Sequence, residues 1–188
     1  AIYIDGDFYA NIDLKVFYES KYRKGSEISD EELLDLISKS NFRMAKEYAL
    51  YLLGYRSYSR NEINQKVRLK YGEDAAYRAI CKIEELGFID DEKYAKDLAN
   101  KLFKVKKYAV KRIYYELLKR GIGNDLAEKI ISGMSDSPKE SIIELLNEKF
   151  RLKLSNEKDV KRTVASLQRM GYNFEDIKSA LQEVCDLD

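Results

Sequence analysis

Val110-Lys111-Arg112-Ile113, followed by Leu117 and Gly121, is matched fifty residues on by Val160-Lys161-Arg162-Thr163, followed by Leu167 and Gly171. A more worn copy starts fifty residues earlier at Arg60: Ile63 and Val67 stand where Ile113 and Leu117 stand, Lys70 matches Arg120, and the glycine has slipped to Gly72. The same register aligns Ile80 with Ile130 and Ala180, Ala45 with Ala95 and Leu145, and Leu52 with Leu102 and Leu152. What recurs is a set of apolar positions at helical spacing, the mark of a core pattern built three times.

Working outward, each copy divides into three helical stretches. The first has helices at 45 to 54, from Ser59 through Lys70, and at 74 to 86. The second has one beginning at Asp90 or Asp91 and others near 109 to 120 and 124 to 132. The third has helices near 138 to 151, 157 to 170 and 174 to 184. Ser59-Arg60-Asn61-Glu62 is a capping box, and Pro138 falls at a first helical position, where its missing N–H is not needed. Upstream, Ile2-Tyr3-Ile4, Asp5-Gly6 and Phe8 to Leu14 predict a β-hairpin turning on Asp-Gly, and Ser29-Asp30-Glu31-Glu32 caps a helix carrying Leu33, Leu34 and Ile37. The expected fold is mainly α: residues 1–40 form a β-hairpin plus helix, and 41–90, 91–136 and 137–188 form three tandem three-helix bundles. Stacked end to end, these would make an elongated, curved array on the order of 60 Å long. The chain begins at Ala1 without a methionine, so an upstream piece is expected as the hairpin's pairing partner.

Of the 188 residues, 36% are charged and only one is proline, a composition that favours helix and much surface. The two cysteines, Cys81 and Cys185, lie far apart and fit a reducing cytoplasm, each packing as a small apolar group. No apolar run approaches the roughly 20 residues a membrane helix needs, so the expectation is a soluble, cytoplasmic monomer that contacts no membrane. The net charge of +1 conceals an asymmetry. Residues 1–40 carry 5 basic and 9 acidic side chains, 41–120 carry 19 and 11, and 121–188 carry 10 and 13, so a +8 centre lies between flanks of −4 and −3. Such a zone points to a particular polyanionic or acidic partner surface.

Catalytic chemistry has little to work with. Histidine is absent, two isolated cysteines cannot form a usual zinc site, and no phosphate-binding loop of the G-x-x-x-x-G-K-[ST] form occurs. Asp5, Asp7 and Asp13, or Asp90, Asp91 and Glu92, are the remaining candidates for magnesium. A solvated hairpin accounts for the first group and helix capping for the second. The chain is therefore expected to have no catalytic residue, metal or cofactor. Binding chemistry concentrates in Lys101, Lys104, Lys106, Lys107, Lys111, Arg112, Lys119 and Arg120, with Glu116 the one acid among them. Cations packed so densely repel one another unless an anion relieves them. The interleaved Tyr108, Tyr114 and Tyr115 are expected in the core, although tyrosines beside cations can also stack on bases. Arg56, Arg60, Lys66, Arg68 and Lys70 would extend the surface onto the first copy. The copies share their apolar positions more than their charges, so binding is expected mainly on the first two.

Tyr51-Leu52-Leu53-Gly54-Tyr55-Arg56-Ser57-Tyr58-Ser59, then Glu62 and Lys66, then Leu86-Gly87-Phe88-Ile89-Asp90-Asp91-Glu92-Lys93-Tyr94-Ala95 resemble the RecX family of recombination regulators. So do Glu116-Leu117-Leu118-Lys119-Arg120-Gly121-Ile122 and Leu167-Gln168-Arg169-Met170-Gly171-Tyr172. The resemblance covers residues 41 to 185 and implies three tandem three-helix repeats. It also implies a cytoplasmic modulator that lodges in the RecA nucleoprotein filament and restrains its ATPase, strand-exchange and coprotease activities in recombination, repair and the SOS response. The basic face would then meet RecA or the DNA within the filament. The chain departs from the family at Lys106-Lys107-Tyr108-Ala109, where a glycine is often found, and at Met170, where an arginine is usual. The alternative reading is a stand-alone helical repeat protein that binds single-stranded or double-stranded DNA.

Overall fold

The computed structural model of the chain describes residues 1–134, 137–151, 154 and 156–186; Leu152 and the Cys185 side chain lie outside what is described. The chain divides into two compact units, Ala1–Asp91 and Glu92–Asp188.

The first unit opens with strands β1 (Ile2–Ile4) and β2 (Asp7–Ala10), paired antiparallel with Tyr3 opposite Phe8. Asp5 (φ 51°) and Gly6 (φ 98°) turn the corner, as an Asp-Gly hairpin requires. The strand does not run on to Leu14. The Asp13 carboxylate accepts the N–H groups of Lys15 and Val16 at 3.0 and 3.1 Å and starts helix α1 (Leu14–Glu19), for which the sequence reading has no place. Four alternating residues are too few to overrule a good N-cap.

Helix α2 (Asp30–Tyr55) starts at the Ser29–Glu32 capping box and continues unbroken for 26 residues. The sequence reading divides it into two helices. The expected boundary between 40 and 41 falls inside it, but no glycine or proline interrupts the stretch from Asp30 to Leu53. Ser40 is buried, and its hydroxyl accepts the N–H of Asp13 at 2.8 Å. Helices α3 (Arg60–Tyr71) and α4 (Glu73–Glu85) follow, and Ala45, Ala49, Ile63, Val67, Ile80 and Ile83 form the core they share with α2.

The second unit contains two such cores. Helices α5 (Asp91–Lys104), α6 (Val110–Lys119) and α7 (Asn124–Ser132) enclose Ala95, Ala99, Ile113, Leu117, Ile122 and Ala127. Helices α8 (Pro138–Leu145), α9 (Glu157–Arg169) and α10 (Phe174–Asp186) enclose Ile142, Leu145, Leu167, Ile177 and Ala180. The helix expected over 138 to 151 turns π-helical at Leu146–Phe150, and both Leu146 and Phe150 lie in the core.

Helices α6 and α9 end alike. Gly121 and Gly171 donate their N–H groups to Leu118 and Gln168, and Ile122 and Tyr172 donate to Leu117 and Leu167, the paired bonds of a Schellman close. Gly72 does something else: its N–H reaches Arg68 and α4 begins at the next residue, so the slipped glycine is a different joint.

At Gly171 (φ 99°) a Cβ would lie 2.5 Å from the Cβ of Arg112. Alongside that close approach, the Ala109 N–H donates to the Met170 carbonyl at 3.0 Å and the Tyr172 hydroxyl donates to the Lys107 carbonyl at 2.9 Å. Tyr108 packs against both cores of the unit. Lys107 takes φ 54°, a conformation glycine favours, in the stretch where the resemblance leads one to expect a glycine. Its ammonium is tied to both oxygens of Glu144, at 2.8 and 2.9 Å.

Gly171→Ala is expected to destabilise the protein by about 3 kcal/mol, from the clash and the positive φ together. Thr163, in the register of Ile63 and Ile113, is buried with a hydroxyl that has no hydrogen-bond partner among the described residues. Thr163→Val is therefore expected to stabilise by about 1 kcal/mol. Urea unfolding followed by far-ultraviolet circular dichroism checks both.

Candidate binding surface

Helix α6 buries Ile113 and Leu117 and turns Lys111, Arg112, Tyr115 and Lys119 to solvent. Positions 111, 115 and 119 are successive i, i+4 steps, so Tyr115 sits between two lysines on one face. Tyr115 is 55% exposed, a correction to its expected core placement. Tyr114 does join the core, with its hydroxyl 3.4 Å from Asn124 Oδ1, and Tyr108 is half-buried. Composition alone does not separate the neighbouring tyrosines. The i, i+4 spacing of 111, 115 and 119, opposite Ile113 and Leu117, does.

The cations of the second unit divide by what they touch. Lys107 is held by Glu144, which pushes its pKa up through that hydrogen bond. Arg112 pairs with Glu116 at 2.6 Å, and Arg120 donates to the Tyr94 hydroxyl at 3.0 Å. Lys101, Lys104, Lys106, Lys111 and Lys119 are exposed.

In the first unit Arg56 lies 3.6 Å from the centroid of the buried Tyr58 ring and 3.5 Å from Glu62. Lys66 is 5.9 Å from the same ring, and Lys70 lies 4.3 Å over Tyr48. Arg60 bonds Glu84 at 2.8 Å and reaches the Cys81 sulfur at 3.6 Å; the Glu84 hydrogen bond is the main cause of its raised pKa. Arg68 is exposed, two residues from both Lys66 and Lys70, and so turns to another side of α3.

Models of the first and second three-helix domains of RecX match residues 45–82 and 90–130. A regulatory protein RecX of Clostridium acetobutylicum is 30% identical over 196 aligned residues, covering 97% of this chain and 88% of its own. The chain belongs to the RecX family. The regulatory protein RecX of Caldanaerobacter subterraneus subsp. tengcongensis is 28% identical, covering 96% of this chain and 90% of its own. Among solved structures, RecX from Lactobacillus salivarius has a TM-score of 0.62 at 25% identity, over 79% of this chain and 98% of that one. A second RecX crystal structure, at 17% identity, shares the fold with a TM-score of 0.68 over 95% of this chain and 92% of its own.

The stretch from Leu86 to Ala95 runs from the end of α4 into α5. Gly87 and Phe88 close α4, Ile89 plugs the first core, and Ala95 enters the second. The Asp91 carboxylate accepts the N–H of Arg60 at 2.7 Å, so it caps the start of α3, a bond between distant positions that local capping patterns miss. Glu92 bonds Lys96 and Lys129, which lower its pKa. Asp13 is occupied with its cap and with Arg43 at 3.0 Å. Among the described residues no three histidine, cysteine or acidic side chains are grouped to hold a metal ion, and no helix is long and apolar enough to cross a membrane.

Burial is the main cause that pushes the Asp91 carboxyl above its ordinary value, with the Arg60 N–H opposing. The folded chain thus holds this proton more tightly than the unfolded one. The stability owed to Asp91 is full at low pH and declines as pH rises from about 4 through the folded-state value. Asp91→Asn keeps an acceptor for the Arg60 N–H without the charge. Its stability relative to the wild type is expected to climb over that window and then level off, as urea unfolding at a series of pH values checks. A flat difference across the window contradicts the assignment.

Proposed function

We propose that this RecX family member works in the cytoplasm as a monomer that binds the RecA nucleoprotein filament and restrains its ATPase, strand-exchange and coprotease activities, and so acts in recombination, repair and the SOS response. The observation that carries the reading is the exposed Lys111–Tyr115–Lys119 stripe, a basic face with an aromatic at its centre. An aromatic ring among cations suits a partner that is acidic at its rim and apolar at its centre. Lys101, Lys104, Lys106 and Arg112 would extend the contact. Lys107, Arg120, Arg56 and Arg60 are engaged within the fold and act as its supports. Lys66, Arg68 and Lys70 are a secondary part of the proposal. It assigns no catalytic group.

Stand-alone DNA binding is the second reading, favoured by the same exposed Tyr115, because a ring flanked by lysines can stack on a base while the lysines meet phosphates.

DNA-stimulated ATP hydrolysis by RecA is expected to fall when the chain is added at or below stoichiometric amounts; unchanged hydrolysis at saturation contradicts the proposal. Reversing Lys111 and Lys119 to glutamate should raise the concentration for half-inhibition about tenfold, on the scale of about 1.4 kcal/mol of lost binding. Both positions are exposed, so the fold should be retained.

A further inference from the structure

The cations of α6 recur on α9. Lys161, Arg162 and Arg169 stand fifty residues after Lys111, Arg112 and Lys119, and all six are exposed. The first copy has Asn61, Glu62 and Leu69 at those places. The cations that recur in register therefore lie on the second and third copies, whereas the sequence alone places binding mainly on the first two.

Lys158 joins the α9 face one turn earlier, while Thr163 and Leu167 point into the core behind it. Where α6 carries Tyr115, α9 carries Ala165, exposed and forming the floor of two adjoining shallow concavities. Glu157, Lys158, Lys161 and Arg162 edge one of them, and Arg162, Gln168 and Arg169 edge the other.

The two helices meet end to start. Arg169 precedes Gly171 by two residues, and Gly171 lies against the backbone of Arg112. At 3.8 Å per residue this puts the Cα atoms of Arg169 and Arg112 within roughly 12 Å of each other. Arg169, at the end of α9, thus lies close to Arg112, at the start of α6.

We propose that the exposed faces of α9 and α6 form one track for the phosphodiester backbone of a nucleic acid, with α9 contacting phosphates alone and Tyr115 supplying a stacking ring. A protein partner would need an apolar or aromatic anchor at the centre of the contact, and on α9 that centre is only the methyl group of Ala165. Phosphates need only cations and room to approach, and the concavities beside Ala165 supply that room. Glu157 and Asp159 pair with Lys161 and Arg162 at the surface, where such pairs are weakly held and yield to a competing anion. The inference rests on the DNA-binding reading of the α6 face given above, and its primary test contains no RecA, so its failure is distinguishable from that of the filament proposal.

The full chain is titrated into fluorescein-labelled oligothymidylate, and separately into a labelled duplex, with anisotropy read over a sodium chloride series. The wild type is expected to bind with an affinity that falls steeply with salt. In Arg162→Gln/Arg169→Gln, the ratio of affinities between about 50 and 200 mM salt should shrink by about threefold for each phosphate contact removed. Ala165→Glu, which places a carboxylate on the floor of the track, should weaken binding without disturbing helicity by circular dichroism. Wild-type affinity and salt slope in both variants, or no binding by the wild type itself, overturns the proposal. Variants that keep DNA affinity but lose restraint of RecA ATPase also overturn it, and mark α9 as a protein-binding face. Failure of the filament proposal is read separately, from the wild type in the ATPase titration.

Discussion

The hydrogen bond from the Ala109 N–H to the Met170 carbonyl joins the start of one copy's middle helix to the end of the next copy's. It forms only because Gly171 has no side chain, so that the chain can pass against Arg112. The rest of the junction depends on that approach: Tyr172 reaches the Lys107 carbonyl, Lys107 is kept at positive φ, and Tyr108 lies between two cores. A lone lysine in that conformation is strained. Here the Glu144 carboxylate and the Tyr172 hydroxyl hold it from both ends. The second unit is thus one packed body that contains two copies of the repeat.

Much of this architecture was legible in the sequence because it rests on local rules. Ser59 with Glu62 and Ser29 with Glu32 announce helix starts, and the fifty-residue register of Ile113, Leu117 and Leu167 announces cores. The failures share a physical cause, since each involves a polar group that bonds far along the chain or is used inside the fold. Ser40 stands at the expected boundary between 40 and 41, yet it is buried and bonded to Asp13. Asp13 reads as part of a strand until its side chain is seen capping α1. Asp91 reads as a cap for its own helix, while its carboxylate holds the start of α3.

The basic surface was only half legible for a related reason. Counting charges finds the region but cannot separate cations that hold the fold from cations that face solvent. Arg60, Lys107 and Arg120 stand in the same charged stretches as Lys111 and Lys119, but their partners are Glu84, Glu144 and Tyr94. Helical periodicity makes part of the distinction. Applied to the second and third copies together, it shows Lys111 with Lys161, Arg112 with Arg162 and Lys119 with Arg169 on equivalent exposed faces. The repeat then fixes more than the spacing of cores, because the same cation positions recur from one copy to the next, and the junction at Gly171 brings the end of α9 to the start of α6.

Hydrogen exchange at the Ala109 amide tests this account most directly. At the N-terminus of an isolated helix this N–H has no partner and exchanges quickly. If the junction welds the two copies into one body, the Ala109 amide is protected to the same degree as the core amides of Ile113 and Leu117, and opens only when the whole unit unfolds. Rapid exchange at Ala109 beside slow exchange at Ile113 would show two separately opening bundles and contradict the account.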